Sequence, residues 1–92
     1  MRDETFEWDD EKAERNYRKH RVTFVTAREV FDDPNAIDEP DESEEYGEER
    51  YRAIGRAEDR LLFVIYAIRD GRIRIVSARG AAPYEQRLYH ES

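Results

Sequence analysis

The rhythm of apolar and polar positions changes several times along this chain. Phe6-Glu7-Trp8 forms an apolar anchor ahead of Asp9, which is placed as a helix N-cap, and Asp10 and Glu11 suit the positive end of a helix dipole. The spacing predicts a helix from there to about His20, with a thin buried stripe of Ala13, Asn16, Tyr17 and His20. A second helix follows, capped by Thr23. Thr26 stands where a capping box prefers Glu or Gln, so that box is incomplete. Phe24, Ala27, Val30 and Phe31 recur at helical spacing and face the core, and Asp32-Asp33-Pro34 ends the helix.

Beyond this point the period shortens. Ala36 to Glu39 reads as a short edge strand. Asp38 to Glu49 then carries eight acids with Pro40 and Gly47, a span whose self-repulsion predicts a mobile loop. Arg50 to Arg56 reads as a strand and Ala57 to Arg60 as a polar turn. Leu61 to Ile68 is apolar on both faces, as a covered central strand requires. Asp70-Gly71 signals a two-residue hairpin, and Ile73 to Ala78 returns as the last strand. Pro83 opens a C-terminal helix whose inner face would carry Tyr84 and Leu88. The predicted architecture is a single α+β domain over residues 1–92. It has two N-terminal helices, an antiparallel sheet of three to four strands and a C-terminal helix.

Composition narrows the function classes. With no cysteine, disulfides and Cys-based zinc sites are excluded. The acidic start, Met1-Arg2-Asp3-Glu4, does not read as a signal peptide, and the apolar run is too short for a membrane helix. A cytoplasmic protein is the expectation. The net charge of −7 opposes nucleic-acid binding until its distribution is considered. Residues 1–49 hold 7 basic and 18 acidic side chains, a balance of −11, while residues 50–92 hold 9 and 5, a balance of +4. A phosphate-seeking surface therefore belongs to the second half. Arg outnumbers Lys by 14 to 2, and the guanidinium fork grips phosphate oxygens in pairs.

No phosphate-binding loop, Rossmann fingerprint or zincin motif is present, and no metal or cofactor is expected. The pattern that carries chemistry is the arginines on strands. Arg52 and Arg56 share one strand face, and Arg72 and Arg74 share one of theirs; Ser77 and Arg79 continue the last strand on the face of Ile73 and Ile75. Metal-free RNA cleavage needs a base for the 2′-hydroxyl, a cation for the charge developing on phosphate and an acid for the leaving oxygen. Arg56 and Arg79 fit the cationic role, and Lys19, His20 or Tyr66 the proton transfers. The plainer alternatives stay open: Arg52 and Arg72 as solvated charge beside a buried strand, and His20 as a helix-terminal cation.

Several segments together resemble the BrnT toxin family. They are Phe6-Glu7-Trp8-Asp9, Lys12-Ala13, Asn16 to His20, Phe24 with Val30 to Pro34, Glu48-Glu49-Arg50, Ala53 to Arg56, Arg72 to Arg79, and Glu85 with Tyr89. The resemblance implies a RelE-like fold and a ribonuclease that slows translation. It also implies neutralisation by a BrnA-type ribbon-helix-helix antitoxin, with operator DNA bound only through that partner. By position it places Lys19, Arg56, Ser77 and Arg79 at the catalytic surface, with His20 and Arg74 as second choices, and Arg52, Arg72 and Arg74 as RNA contacts. The chain departs from the family at Gly80-Ala81-Ala82-Pro83-Tyr84 and Gln86, where basic residues are usual, and each lost charge weakens phosphate binding. A non-catalytic co-repressor that binds the antitoxin is the alternative function.

Overall fold

The computed structural model describes residues 1–41 and 48–92. Strand β1 (Phe6–Glu7) precedes helix α1 (Asp10–His20) and the short helix α2 (Phe24–Ala27), which runs into a 3-10 segment (Arg28–Asp32). Strands β2 (Ile37–Asp41), β3 (Arg50–Ala57), β4 (Arg60–Arg69) and β5 (Arg72–Gly80) follow, then helix α3 (Pro83–Glu91). The fold is α+β, but the sheet is mixed and five-stranded, in the order β1-β5-β4-β3-β2. Strands β2 to β5 pair antiparallel, whereas β1 lies parallel to β5, with Phe6 beside Ile73 and Glu7 beside Arg74. Two residues are too few to reveal a strand period, which is why this segment reads only as an anchor.

Helix α1 starts where expected: the Asp9 carboxylate accepts the N–H groups of Glu11 and Lys12. Its deepest inward contact is polar. The buried Asn16 donates through Nδ2 to the carbonyls of Val22 (3.0 Å) and Ala78 (2.8 Å), and its Oδ1 accepts the Ala78 N–H (3.1 Å). Strand β1 pairs with β5 only at Ile73 and Arg74, so further along β5 the Asn16 amide takes the place of a neighbouring strand. Tyr17, expected in the buried stripe, is 44 % exposed, with the Arg21 guanidinium 5.5 Å over its ring.

The second helix is shorter than its pattern suggests, since α2 tightens into the 3-10 segment before Asp33. Phe24, Ala27 and Val30 are nevertheless buried as predicted. Val30 lies so close to β3 that a Cβ at Gly55 would stand 2.8 Å from its Cγ1 and 3.2 Å from its carbonyl oxygen. Strand β2 continues to Asp41, so the acidic stretch begins inside a strand, and the centre of the expected loop, 42–47, lies outside the described residues. Strand β4 is central, between β3 and β5. In the turn after it Asp70 and Gly71 both take positive φ, 50° and 76°, as a type I′ hairpin demands.

Helices α1 and α2 with the segments around them cover one face of the sheet, where Ala53, Ala57, Leu62, Val64, Tyr66, Ile75 and Ala78 meet Trp8, Val22, Phe24, Ala27 and Val30, whereas α3 docks on the other face through Glu85 and Tyr89. A bulge in β5 decides what stands on the other face. Tyr66 pairs with Ile75, but Ile65 pairs with Ser77, which leaves Val76 as the extra residue. Simple alternation puts Ser77 and Arg79 on the face of Ile73 and Ile75. The bulge turns them to the opposite face, onto the side of Arg72 and Arg74. Helix α3 corrects a second expectation: Tyr84 and Leu88 are 57 % and 47 % exposed, and Glu85 and Tyr89 turn inward instead. The sites that receive them are polar, namely Arg79 and Asp33.

Two substitutions test this framework. Asn16→Ala strips the Ala78 N–H of its partner in a buried setting and lowers unfolding free energy by about 2–3 kcal/mol in urea titration. Gly55→Ala drives a methyl into Val30 and costs about 1–3 kcal/mol in the same measurement. Wild-type midpoints for either variant would contradict the contacts described.

Candidate active surface

The face of the sheet turned away from the main core is organised in rows, each crossing β3, β4 and β5. Arg52, Ile65 and Ser77 form one row, and Ile54, Phe63 and Arg79 the next. Arg56 and Leu61 begin a third, with Leu61 accepting the Ala81 N–H. In the other direction Ala67 and Arg74 pair, then Arg69 and Arg72. Successive rows lie roughly 7 Å apart, two residues along a strand. The arginines and Ser77 singled out on the strands thus share one face. Without the Val76 bulge, Ser77 and Arg79 would be buried under the helices.

Most of these arginines already have partners. Arg52 is paired with Glu39 at 2.7 Å and Arg74 with Glu7 at 3.5 Å. Arg72 donates to the Asp3 carbonyl at 2.7 Å. These three, predicted as RNA contacts, are engaged within the protein. Arg79 is engaged more deeply. Its two Nη atoms donate to the two Glu85 oxygens at 2.8 and 2.9 Å, Nη1 also donates to the Gly80 carbonyl, and its carbon stands 4.2 Å over the Phe63 ring. A guanidinium has five N–H donors, so the Nε–H and the second Nη2–H remain, and they form the other bidentate edge of its plane. Arg79 therefore keeps one fork for an incoming anion while Glu85 fixes the other.

Glu85 is 1 % exposed and was absent from the candidates read in the sequence. Burial pushes its carboxyl up, but the Arg79 guanidinium, the Ala82 N–H and the Tyr84 hydroxyl outweigh that and hold it below the ordinary glutamate range. A charged residue early in a helix reads as a dipole partner; the Arg79 beneath it is a tertiary contact with no local signal. Asp33 is a second such knot. It accepts the backbone N–H of Arg56 and Asn35 and the Tyr89 hydroxyl (2.7 Å), which together overcome its burial and lower its pKa. Arg56 itself stands with its guanidinium 6.0 Å from the Tyr89 ring centre.

His20 lies one turn beyond Asn16 on α1, half-buried at the β5 edge. Burial, then the charges of Lys19 and Arg79, lower its pKa. Lys19 beside it is exposed. The Ser77 side chain makes no hydrogen bond among the described residues. Tyr66, another candidate for proton transfer, is on the core face. Burial and then its bond to Asp38 (2.6 Å) push its hydroxyl well up, which removes it from that role. The structure thus sets Arg56, Phe63, Ser77 and Arg79 on one face and brings His20 within range of the Arg79 charge, while on the same face Arg52 and Arg74 are ion-paired and Arg72 is bonded to a carbonyl.

The lowered Glu85 and Asp33 carboxyls set an acid limit. Each contributes stability that is present above its unfolded pKa, 4.5 and 3.8 respectively, and is lost as pH falls through the lower folded value. Urea midpoints should therefore decline below pH 4.5, with a shallower decline in Glu85→Gln. Equal slopes for the two proteins would contradict the Arg79–Glu85 assignment.

No curated protein matches the chain. A family model does, over residues 8–85, a span that holds both Asn16 and the Arg79–Glu85 pair. The chain therefore belongs to the family described as ribonuclease toxin, BrnT, of type II toxin–antitoxin systems.

Proposed function

We propose that this chain is a metal-independent ribonuclease of RelE-like type that cuts RNA and so inhibits translation. A ribbon-helix-helix antitoxin neutralises it, and operator DNA is reached only through that antitoxin. The observation that carries the reading is the β5 bulge, which sets Ser77 and Arg79 on the same face as Arg56. In this reaction the 2′-oxygen of a ribose attacks the adjacent phosphorus and the 5′-oxygen leaves, taking a proton from water, to give a 2′,3′-cyclic phosphate and a 5′-hydroxyl end. The free fork of Arg79 stabilises the charge that grows on the phosphate oxygens. His20 is kept neutral by its surroundings and so is able to take the 2′-hydroxyl proton. Phe63 supplies a ring beside the reacting group, with Lys19 and Arg56 on either side as further cations.

The second reading is a non-catalytic co-repressor that binds its antitoxin. It is favoured by the carboxylates spent on Arg52, Arg69, Arg74 and Arg79, which leave few cations for phosphate.

Regulated expression of the chain alone in bacteria, with RNA cleavage by the purified protein, separates the two. The ribonuclease reading expects growth arrest and cleavage by the wild type. It expects at least about a tenfold loss of rate in Arg56→Ala, the size usual for one electrostatic contact to a transition state, with folding retained. Unimpaired growth and intact RNA, with soluble protein present, would leave the co-repressor reading. Full activity in Arg56→Ala would remove that residue from the site. Arg79→Ala is a stability variant as well. It strands Glu85 and should cost about 2–4 kcal/mol, less than for a fully buried pair because Arg79 is 36 % exposed.

A further inference from the structure

Of the arginines on β3, β4 and β5, Arg50, Arg52, Arg69, Arg74 and Arg79 each have a carboxylate within 4.0 Å, and Arg72 has a carbonyl. Arg56 and Arg60 have no such ion pair among the described residues, in a chain with 23 acids and only 16 bases. Both line the same cavity of about 360 Å³ between the β3–β4 turn and α3. Gln86 and His90, one turn apart on α3, close it from the other side, Leu61 forms an apolar wall, and one acid, Asp59, stands at the lining. The backbone makes room for Arg60: a Cβ at Gly80 would stand 2.5 Å from its Nη2.

We infer that this cavity binds a backbone phosphate and ribose of an RNA strand that runs on past the cleaved position. The inference rests on the ribonuclease reading and deepens it. Arg60 has no carboxylate within 4.0 Å among the described residues, and Arg56 has only the longer-range charge of Asp33 and the Tyr89 ring and hydroxyl, so both guanidiniums can take an anion from outside, and phosphate is the anion whose geometry their forks match. The volume lies at the small end of ligand pockets, enough for a nucleotide unit and not merely an ion. The Gln86 amide and the His90 ring offer hydrogen bonds to the ribose 2′-oxygen, which a 2′-O-methyl group leaves able to accept. Position selects a strand over a free nucleotide. The Arg56–Leu61 row is the neighbour of the row that holds Phe63 and Arg79, so a chain leaving Arg79 meets Arg56 and then Arg60. The cavity also supplies cations that the segment after Arg79 lacks.

The test uses a short, fluorescent 2′-O-methyl RNA, which binds but has no free hydroxyl to attack its own backbone. Its affinity is measured over a salt series, with adenosine 5′-monophosphate in parallel. Arg60→Ala should weaken oligonucleotide binding about tenfold and flatten the log–log salt slope by about 0.7, the value for one single-strand phosphate contact. Gly80→Ala keeps every charge but displaces the Arg60 guanidinium, and should give a smaller loss in the same direction. Unchanged affinity and slope in Arg60→Ala overturn the inference, even if the wild type cleaves RNA. So does an Arg60-dependent site for the mononucleotide alone, or a wild type that does not bind the oligonucleotide. Arg60-dependent oligonucleotide binding with no cleavage of ordinary RNA would keep the cavity and reject the ribonuclease reading.

Discussion

The side-chain amide of Asn16 is the contact from which the candidate surface follows. Strand β1 reaches only two residues along β5, so the remaining edge of β5 needs another partner for its peptide groups. Asn16 provides a donor and an acceptor at once, in the spacing of a peptide unit, and satisfies both groups of Ala78. Its third bond, to the Val22 carbonyl, closes the chain reversal after α1. A helix is thereby held where a strand would otherwise lie. Because His20 is four residues further along the same helix, the same bonds bring its ring within range of the Arg79 charge. A small side chain of this kind fixes register as well as distance, since neither bond survives a shift of one residue.

Charge is partitioned along the sheet. The acids of the first half are not merely surplus. Glu7 and Glu39 cross over to neutralise Arg74 and Arg52 on the outer strands' neighbours, and Glu48 takes Arg69. Exposed pairs of this sort add little to stability. Their effect is to engage the cations over much of the face, leaving Arg56, Arg60 and the second edge of Arg79 without a carboxylate within 4.0 Å among the described residues. The nucleic-acid binding proposed for a protein of net charge −7 is compatible with this partition, because screening at physiological salt hides the distant acids.

Much of the fold was legible in local pattern. The Asp9 cap, the Phe24–Ala27–Val30 stripe, the apolar β4 and the Asp70-Gly71 turn each depend on neighbours in sequence, and each stands where pattern put it. What was hidden depends on the partner. Nothing in Arg72 to Arg79 reveals that Val76 is extra, because a bulge is defined by the opposite strand. The parallel partner of Phe6–Glu7 is 67 residues away in Ile73 and Arg74. Glu85 resembles any acid in a first helical turn until Arg79 is found beneath it. Of the candidate site residues, Arg56, Ser77 and Arg79 share a face with Arg52, Arg72 and Arg74; all six looked equivalent in sequence because the ion pairs of Arg52 and Arg74 and the carbonyl bond of Arg72 involve distant residues and leave no local mark.

Helix α3 is fastened by two polar points, Glu85 on Arg79 and Tyr89 on Asp33, with its apolar Tyr84 and Leu88 turned outward. This has an evolutionary consequence. At either fastening a single substitution strands a buried partner, so change there must come in pairs and will be slow. At Leu88 on the outward side no such coupling applies, and substitutions are nearly neutral to the fold, whereas Tyr84 still gives its hydroxyl to Glu85. One helix thus joins a lock whose parts must change together to a surface position free to drift, so that the outward side can vary while the geometry around Arg79 stays as it was.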